Sequence, residues 1–350
     1  MELNQSISKD IVEKYRKKNI PFAVVLELTD NCNLSCSHCF RVNENRQELT
    51  YNEITDILDQ LAAFGTFMVG YTGGEIFSRP DLFDILTYAK QKGFMQLLLT
   101  NGTLINRDNI TFLKEIKPWD VEISLLGAEP ETHDGITGVA GSFEKTVDAI
   151  KLLVEANIFV TTKTVLMKSN VSEYGRIKSL AKELGAHSKI STGILPRFDG
   201  STEPQEQAIT WDDRKLFLKT DIPDKAFLMR IEDDDTSLLT CKAGKCFACI
   251  SPFGDVCPCV ILPLKLGNIR EKSFKQIWHD PDNAILNELR SLNASDLDKC
   301  FACSMKNICN RCTGSAYLEH KSLLAPSSLD CEDTKWKSYL LSIKDGQASS

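Results

Sequence analysis

The thirteen cysteines of this chain fall in two blocks: three at positions 32–39, ten between 241 and 331, and none between. Free cysteine behaves as a small buried hydrophobe, and used as core filler it would scatter. Disulfides belong to oxidising compartments, and the polar first residues show no secretory signal. In a chain expected in the reducing cytoplasm, two thiol-dense blocks point to metal at both ends, and the fold must present both sites.

The first block runs Thr29-Asp-Asn-Cys-Asn-Leu-Ser-Cys-Ser-His-Cys-Phe40, a C-x3-C-x2-C spacing with an aromatic directly after the third cysteine. Cys32, Cys36 and Cys39 can hold three corners of a cubane iron–sulfur cluster. The fourth iron then lacks a protein ligand and is open to chemistry. The competing reading is a partial zinc site that borrows His38, itself equally readable as a solvent-facing loop residue. Zinc loops usually present C-x2-C pairs rather than a triplet with unequal gaps.

At 350 residues the chain has room for two domains. Its formal net charge of −7 argues against a nucleic-acid or anionic-membrane partner. The basic group Lys14, Arg16, Lys17 and Lys18 reads as a solvated helix face. No apolar run approaches the ~20 residues of a membrane span.

Between the blocks, residues 22–29 read as a strand buried on both faces, with Glu27 and Thr29 sharing one polar side. Further strand-like runs lie near 66–71, 94–100, 121–126, 158–166 and 189–195. Helical periodicity fills 51–64, 81–92, 106–116, 142–156 and 172–185. Asp81 and Ser142 suit N-caps, and Gly65, Gly93 and Gly185 suit helix ends. This is a parallel β/α series, in which ligand sites lie at the carboxyl ends of strands. The cysteine triplet sits at such an end, as do Thr72-Gly-Gly-Glu75, Thr100-Asn-Gly-Thr103 and Ser124-Leu-Leu-Gly127. Residues 1–198 are expected to form one domain and 199–240 a surface bridge with a helix near 212–219 and a solvated acidic run at Glu232 to Asp235. Residues 241–335 are expected to form a small domain stabilised in part by metal, and 336–350 a short fraying helix.

These motifs resemble the radical S-adenosylmethionine superfamily, and within it the members with a C-terminal SPASM domain, including peptide-modifying maturases. The resemblance covers about residues 20–195 and 241–331. In the second stretch Cys241, twelve residues, Gly254, four residues and Cys259 match the family pattern, as do Cys300, Cys303, Cys309, Cys312 and Cys331. Cys309 and Cys312 are two residues apart where the family has three.

The resemblance implies an α/β fold, a partial (β/α)6 parallel barrel with a small cysteine-rich SPASM-like domain. It implies a 4Fe–4S cluster on Cys32, Cys36 and Cys39 that binds S-adenosyl-L-methionine, and two auxiliary 4Fe–4S clusters. One auxiliary cluster would take Cys241, Cys259 and Cys312 plus Cys246 or Cys249. The other would take Cys300, Cys303, Cys309 and Cys331, leaving Cys257 and one of Cys246 and Cys249 as ordinary packing or a spare thiol. A zinc-ribbon block is the alternative. Gly73 and Gly74 would let the backbone approach the ligand, and Glu75 would accept from its ammonium. Ile76 follows where the family usually has proline. Ser124 would meet ribose or carboxylate. Asn101 would do the same or cap its own turn, Phe40 would pack on adenine or exclude water, and Lys163 would face the ligand carboxylate or the outside.

The implied activity is reductive cleavage of S-adenosylmethionine to a 5′-deoxyadenosyl radical. That radical would abstract hydrogen from a peptide or protein, giving a crosslink, epimerisation or oxidation, with the auxiliary clusters transferring electrons. The alternatives are a small-molecule or tetrapyrrole oxidoreductase and, in another class, a non-catalytic zinc or iron–sulfur protein. With the first strand beginning near Phe22, peptide binding would be direct or through a separate recognition protein. The sulfatase-maturing members carry an acid after the cysteine equivalent to Cys259, where this chain has Val260. The reductant implied is flavodoxin or ferredoxin.

Overall fold

Along Ala23–Thr29 the apolar Val24, Leu26 and Leu28 alternate with Val25, Glu27 and Thr29, so an extended backbone sorts them onto two faces. In the computed structural model, which describes residues 2–220 and 241–344, this segment is β1, and the first set is buried in the core. The acidic run Glu232 to Asp235 lies outside the described residues. Helix α1 (Glu2–Lys17) precedes β1. Then follow α2 (Tyr51–Phe64), β2 (Met68–Gly73), α3 (Leu82–Gln91), β3 (Met95–Thr100), α4 (Arg107–Ile116) and β4 (Asp120–Ser124). After them come α5 (Pro130–Thr137), α6 (Ser142–Glu155), β5 (Val160–Val165), α7 (Tyr174–Glu183), β6 (His187–Ser191) and α8 (Trp211–Thr220).

Strands β1 to β6 pair in parallel, each with the next, as the alternating pattern predicts. The sheet does not stop there. In the C-terminal region β7 (Phe247–Ile250) adds in parallel to the free side of β1, and β8 (Asp255–Cys257) and β9 (Gly267–Asn268) follow antiparallel. The result is one nine-stranded sheet in the order β6-β5-β4-β3-β2-β1-β7-β8-β9, open between β6 and β9 rather than a closed barrel. The remaining helices are α9 (Phe274–Trp278), α10 (Ala284–Ser291), α11 (Asp298–Phe301), α12 (Thr313–His320) and α13 (Ser328–Lys344).

The shared sheet changes how the cysteine-rich region is stabilised. Ala248, Ile250, Val256, Phe274, Ile277 and Trp278 belong to the same apolar cluster as Val24, Leu58 and Leu61. A region too small for a large core of its own joins the core of its neighbour. Arg270 adds a tie: its guanidinium meets Glu53 at 2.5 Å and donates to the carbonyls of Gln47 and Glu48.

Several local expectations shift. Gly65 ends α2 in the left-handed conformation at φ 91°, as a residue without Cβ allows. Asp81 stands at the N-cap of α3, but its carboxylate binds Arg79 at 2.6 Å instead of the helix amides. Ser142 is the first residue of α6, not its cap; Gly141 takes that place, and the Ser142 hydroxyl donates to Asp134. The final helix begins at Ser328, ahead of the expected 336, and β6 ends at Ser191, leaving 192–195 as loop.

Candidate active site

A cleft of about 650 Å³ opens at the carboxyl ends of the strands. Cys32, Cys36 and Cys39 line it together with Phe40, Gly73, Gly74, Asn101 and Ser124. The cysteine segment between β1 and α2 has almost no regular secondary structure of its own, so distant groups hold it. Gly74 N–H donates to the Thr29 carbonyl at 2.8 Å, and Glu75 N–H donates to the Asn31 carbonyl at 2.8 Å. A Cβ on Gly73 would stand 2.3 Å from the Thr29 oxygen, and one on Gly74 2.0 Å from the Asn31 oxygen. The two glycines let β2 approach the backbone at the base of the cysteine loop.

Glu75 does not line the cleft. It is fully buried, and its carboxylate accepts from Thr100 Oγ1 at 2.6 Å and from the amides of Phe77 at 3.0 Å and Asn101 at 2.7 Å. Glu75 thereby buttresses the ends of β2 and β3. Burial pushes its carboxyl up, and these three donors oppose the rise.

The other support is α5, a helix the periodicity reading missed. Ser35 N–H donates to the Thr137 carbonyl at 2.9 Å and Ser37 N–H to the Ile136 carbonyl at 3.0 Å, so the last turn of α5 grips the loop. Asp134 secures the far side by accepting from Gly141 N–H, Phe143 N–H and Ser142 Oγ. The signal was in the sequence: Pro130 at the start and Gly138, at φ 73°, just past the end mark a short helix. The same helix brings His133 to the cleft. His133 Nδ1 accepts from Leu126 N–H at 3.2 Å, so the neutral ring carries its proton on Nε2. Burial lowers its pKa to about 4.

Burial pushes the Cys36 thiol up to about 12, and Cys39 and Cys32 add to the rise. Burial raises Cys32 as well. Three thiolates here need a compensating cation, since Arg41 is engaged by Glu27 and by Asp30 Oδ1 at 2.8 Å. Iron ions would supply that charge. Thiols sharing one cleft suit a cluster that takes one thiolate per iron. His38 lines the cleft half-buried: burial takes its pKa down to about 4, and among the described residues its buried Nδ1 has no hydrogen-bond partner.

The opposite wall holds Glu122, Ser124 and Lys163, with the Lys163 ammonium 3.2 Å from Glu122. Lys163 thus faces the cleft.

The later cysteines form two gatherings. Cys259 lies within the fields of Cys241 and Cys312, and Cys331 within those of Cys309, Cys300 and Cys303. Cys246 borders the first gathering through Cys241, and Cys249 through Cys259. Cys257, expected to pack or stay a spare thiol, faces Cys249 across the β7–β8 register. Val260, directly after Cys259, lines the same cleft as the first three cysteines.

Comparison with known proteins agrees with this architecture. The radical SAM superfamily model matches residues 26–181, and the SPASM iron-sulfur cluster-binding domain matches residues 241–313. The AdoMet-dependent heme synthase of Methanosarcina barkeri is 33% identical over 328 residues, covering 85% of this chain and 93% of that protein. The subtilosin biosynthesis protein AlbA of Bacillus subtilis is 31% identical, covering 75% of this chain and 60% of that protein. Streptococcus suis SuiB bound to its precursor peptide SuiA shares the fold, with a TM-score of 0.70 at 19% identity over 93% of this chain and 80% of that one. Among the described residues no helix is long and apolar enough to cross a membrane. The family's cofactors are 4Fe–4S clusters and S-adenosylmethionine. The chain belongs to the radical S-adenosylmethionine superfamily of enzymes and carries the cluster-binding SPASM domain.

Proposed function

We propose that this enzyme removes a hydrogen atom from a peptide or protein segment seated in the cleft and passes the remaining electron to the centre at Cys241, Cys259 and Cys312. The observation that carries this reading is Val260: it lines the cleft while its neighbour Cys259 belongs to the gathering with Cys241 and Cys312. Substrate at the cleft wall is thereby one residue from an electron acceptor.

Cys32, Cys36 and Cys39 would hold the S-adenosylmethionine-binding cluster. Cys300, Cys303, Cys309 and Cys331 would hold the outer auxiliary cluster. A cluster held there would, with bound S-adenosylmethionine, supply a 5′-deoxyadenosyl radical able to attack an unactivated carbon. The protein must keep water from such a species. Phe40 contributes by packing on Phe198 at 5.2 Å, and the Phe198 N–H donates to the Phe40 carbonyl at 3.1 Å. Ser124 and Lys163, neighbours in the β4–β5 register, would offer a hydroxyl and an ammonium to the ligand's polar groups. A flavodoxin or ferredoxin would supply the reducing electron.

A tetrapyrrole substrate is the second reading. What favours it is the near end-to-end coverage of a protein named as a heme synthase. Anaerobic assays with S-adenosylmethionine and dithionite separate the two. Substrate-dependent 5′-deoxyadenosine with a peptide encoded beside the enzyme supports the first reading. Its formation only with an added tetrapyrrole supports the second.

A further inference from the structure

We propose that Asn101 is a positioning residue that raises the reduction potential of the N-terminal cluster by donating an N–H to the Cys32 sulfur. The proposal rests on Cys32, Cys36 and Cys39 holding that cluster. Family resemblance gave Asn101 a ligand contact or a turn cap, but the structure holds it in a more specific way.

Every polar atom of Asn101 is committed. Its backbone N–H donates to Glu75 Oε2 at 2.7 Å, and its carbonyl accepts from Thr146 Oγ1 at 3.0 Å. Its Oδ1 accepts from Thr103 N–H at 2.9 Å and Thr103 Oγ1 at 2.6 Å. Because a backbone N–H can only donate, Oδ1 and Nδ2 cannot be exchanged. Nδ2 carries two hydrogens. One goes to Asn33 Oδ1 at 2.9 Å, and the other is left for Cys32 Sγ at 4.0 Å. Asn33 Nδ2 donates in turn to Thr103 Oγ1 at 2.8 Å, closing a ring of three side chains. The amide is therefore fixed with its spare donor towards the sulfur before any cluster binds.

Hydrogen bonds to ligand sulfurs are among the determinants of a cluster's potential. Reduction adds negative charge that spreads onto the sulfurs, and a donor there stabilises the reduced state. The arrangement also gives the buried Glu75 a purpose. It acts on the cluster through the Asn101 backbone, with no contact to the cleft.

The test is an EPR-monitored potentiometric titration of the anaerobic full-length protein, following the signal that changes when S-adenosylmethionine is added. In Asn101→Ala we expect the reduced-to-oxidised ratio at fixed potential to fall about tenfold, a midpoint about 59 mV lower for a one-electron couple. Thr103→Val opens the ring and should give a smaller lowering. An unchanged midpoint in Asn101→Ala with the responsive signal intact overturns the proposal. If Asn101→Ala assembles no cluster, an unchanged midpoint in Thr103→Val overturns it instead. Absence of any responsive signal in the unaltered protein overturns the cluster assignment beneath it.

Discussion

The first three cysteines are neighbours in sequence, yet the groups that hold them come from β2, β3 and α5. The gathering around Cys259 reverses this: Cys241, Cys259 and Cys312 are far apart in sequence and are brought together by strands and short helices of their own region. The N-terminal loop hangs on an already folded sheet. The C-terminal sulfur centres would cross-link segments whose own shared core is small, a cluster around Ala243, Leu262, Leu289 and Leu323. Metal at the first site should therefore matter for chemistry, and metal at the second for folding as well.

The largest expected effect tests that contrast. Changing Cys32, Cys36 and Cys39 together to Ala should abolish 5′-deoxyadenosine formation and lower iron from about twelve to about eight per chain, with the thermal midpoint little moved. Changing Cys300 and Cys303 to Ala should instead lower the thermal midpoint and expose the region to limited proteolysis. Equal stability losses in the two variants would erase the distinction.

Next in size is Gly74→Ala. With 2.0 Å between the added Cβ and the Asn31 oxygen, β2 and the loop base must separate. Overpacking of this kind costs about 1–3 kcal/mol. Urea unfolding should show it, and the first cluster should be lost while auxiliary iron stays. Asp134→Ala removes three accepted hydrogen bonds from the α5–α6 junction. At a net ~0.5–1.5 kcal/mol each, a loss of about 2 kcal/mol is expected. Amide exchange should quicken at Ser35 and Ser37, whose partners lie on α5.

The smallest effect concerns a tie between the two regions. Arg270 and its neighbour Thr50 hold the Glu53 carboxyl down at about 2 from an ordinary 4.5. A depressed carboxyl stabilises above its unfolded pKa and loses that contribution as pH falls through its folded one. The tie should thus be intact above about pH 4.5 and fade towards pH 2. Both side chains are about one-third exposed, 33% and 31%, so Arg270→Ala should cost less than about 1 kcal/mol. Acid unfolding curves of the two proteins should converge near pH 2.

The shared cleft of the first cysteines and the parallel strands were legible because both leave local marks: cysteine spacing, and apolar runs between helical periods. What held them was not. That the Glu75 carboxylate turns inward is not written in its motif; it depends on Thr100 and Asn101 at the end of β3. β7 is only Phe247–Ile250, too short for its alternation to stand out, and its partner β1 lies over two hundred positions earlier. The short α5 was marked only by a proline and a glycine, and its function as a clamp on Ser35 and Ser37 is purely tertiary.

The most direct test is EPR of the anaerobically reduced protein with and without S-adenosylmethionine, compared with the variant lacking Cys32, Cys36 and Cys39. One cluster signal should change on adding the ligand and be missing from the variant, while the auxiliary signals persist in both. A ligand-responsive signal that survives in the variant, or a native protein containing zinc and no iron, would contradict the account.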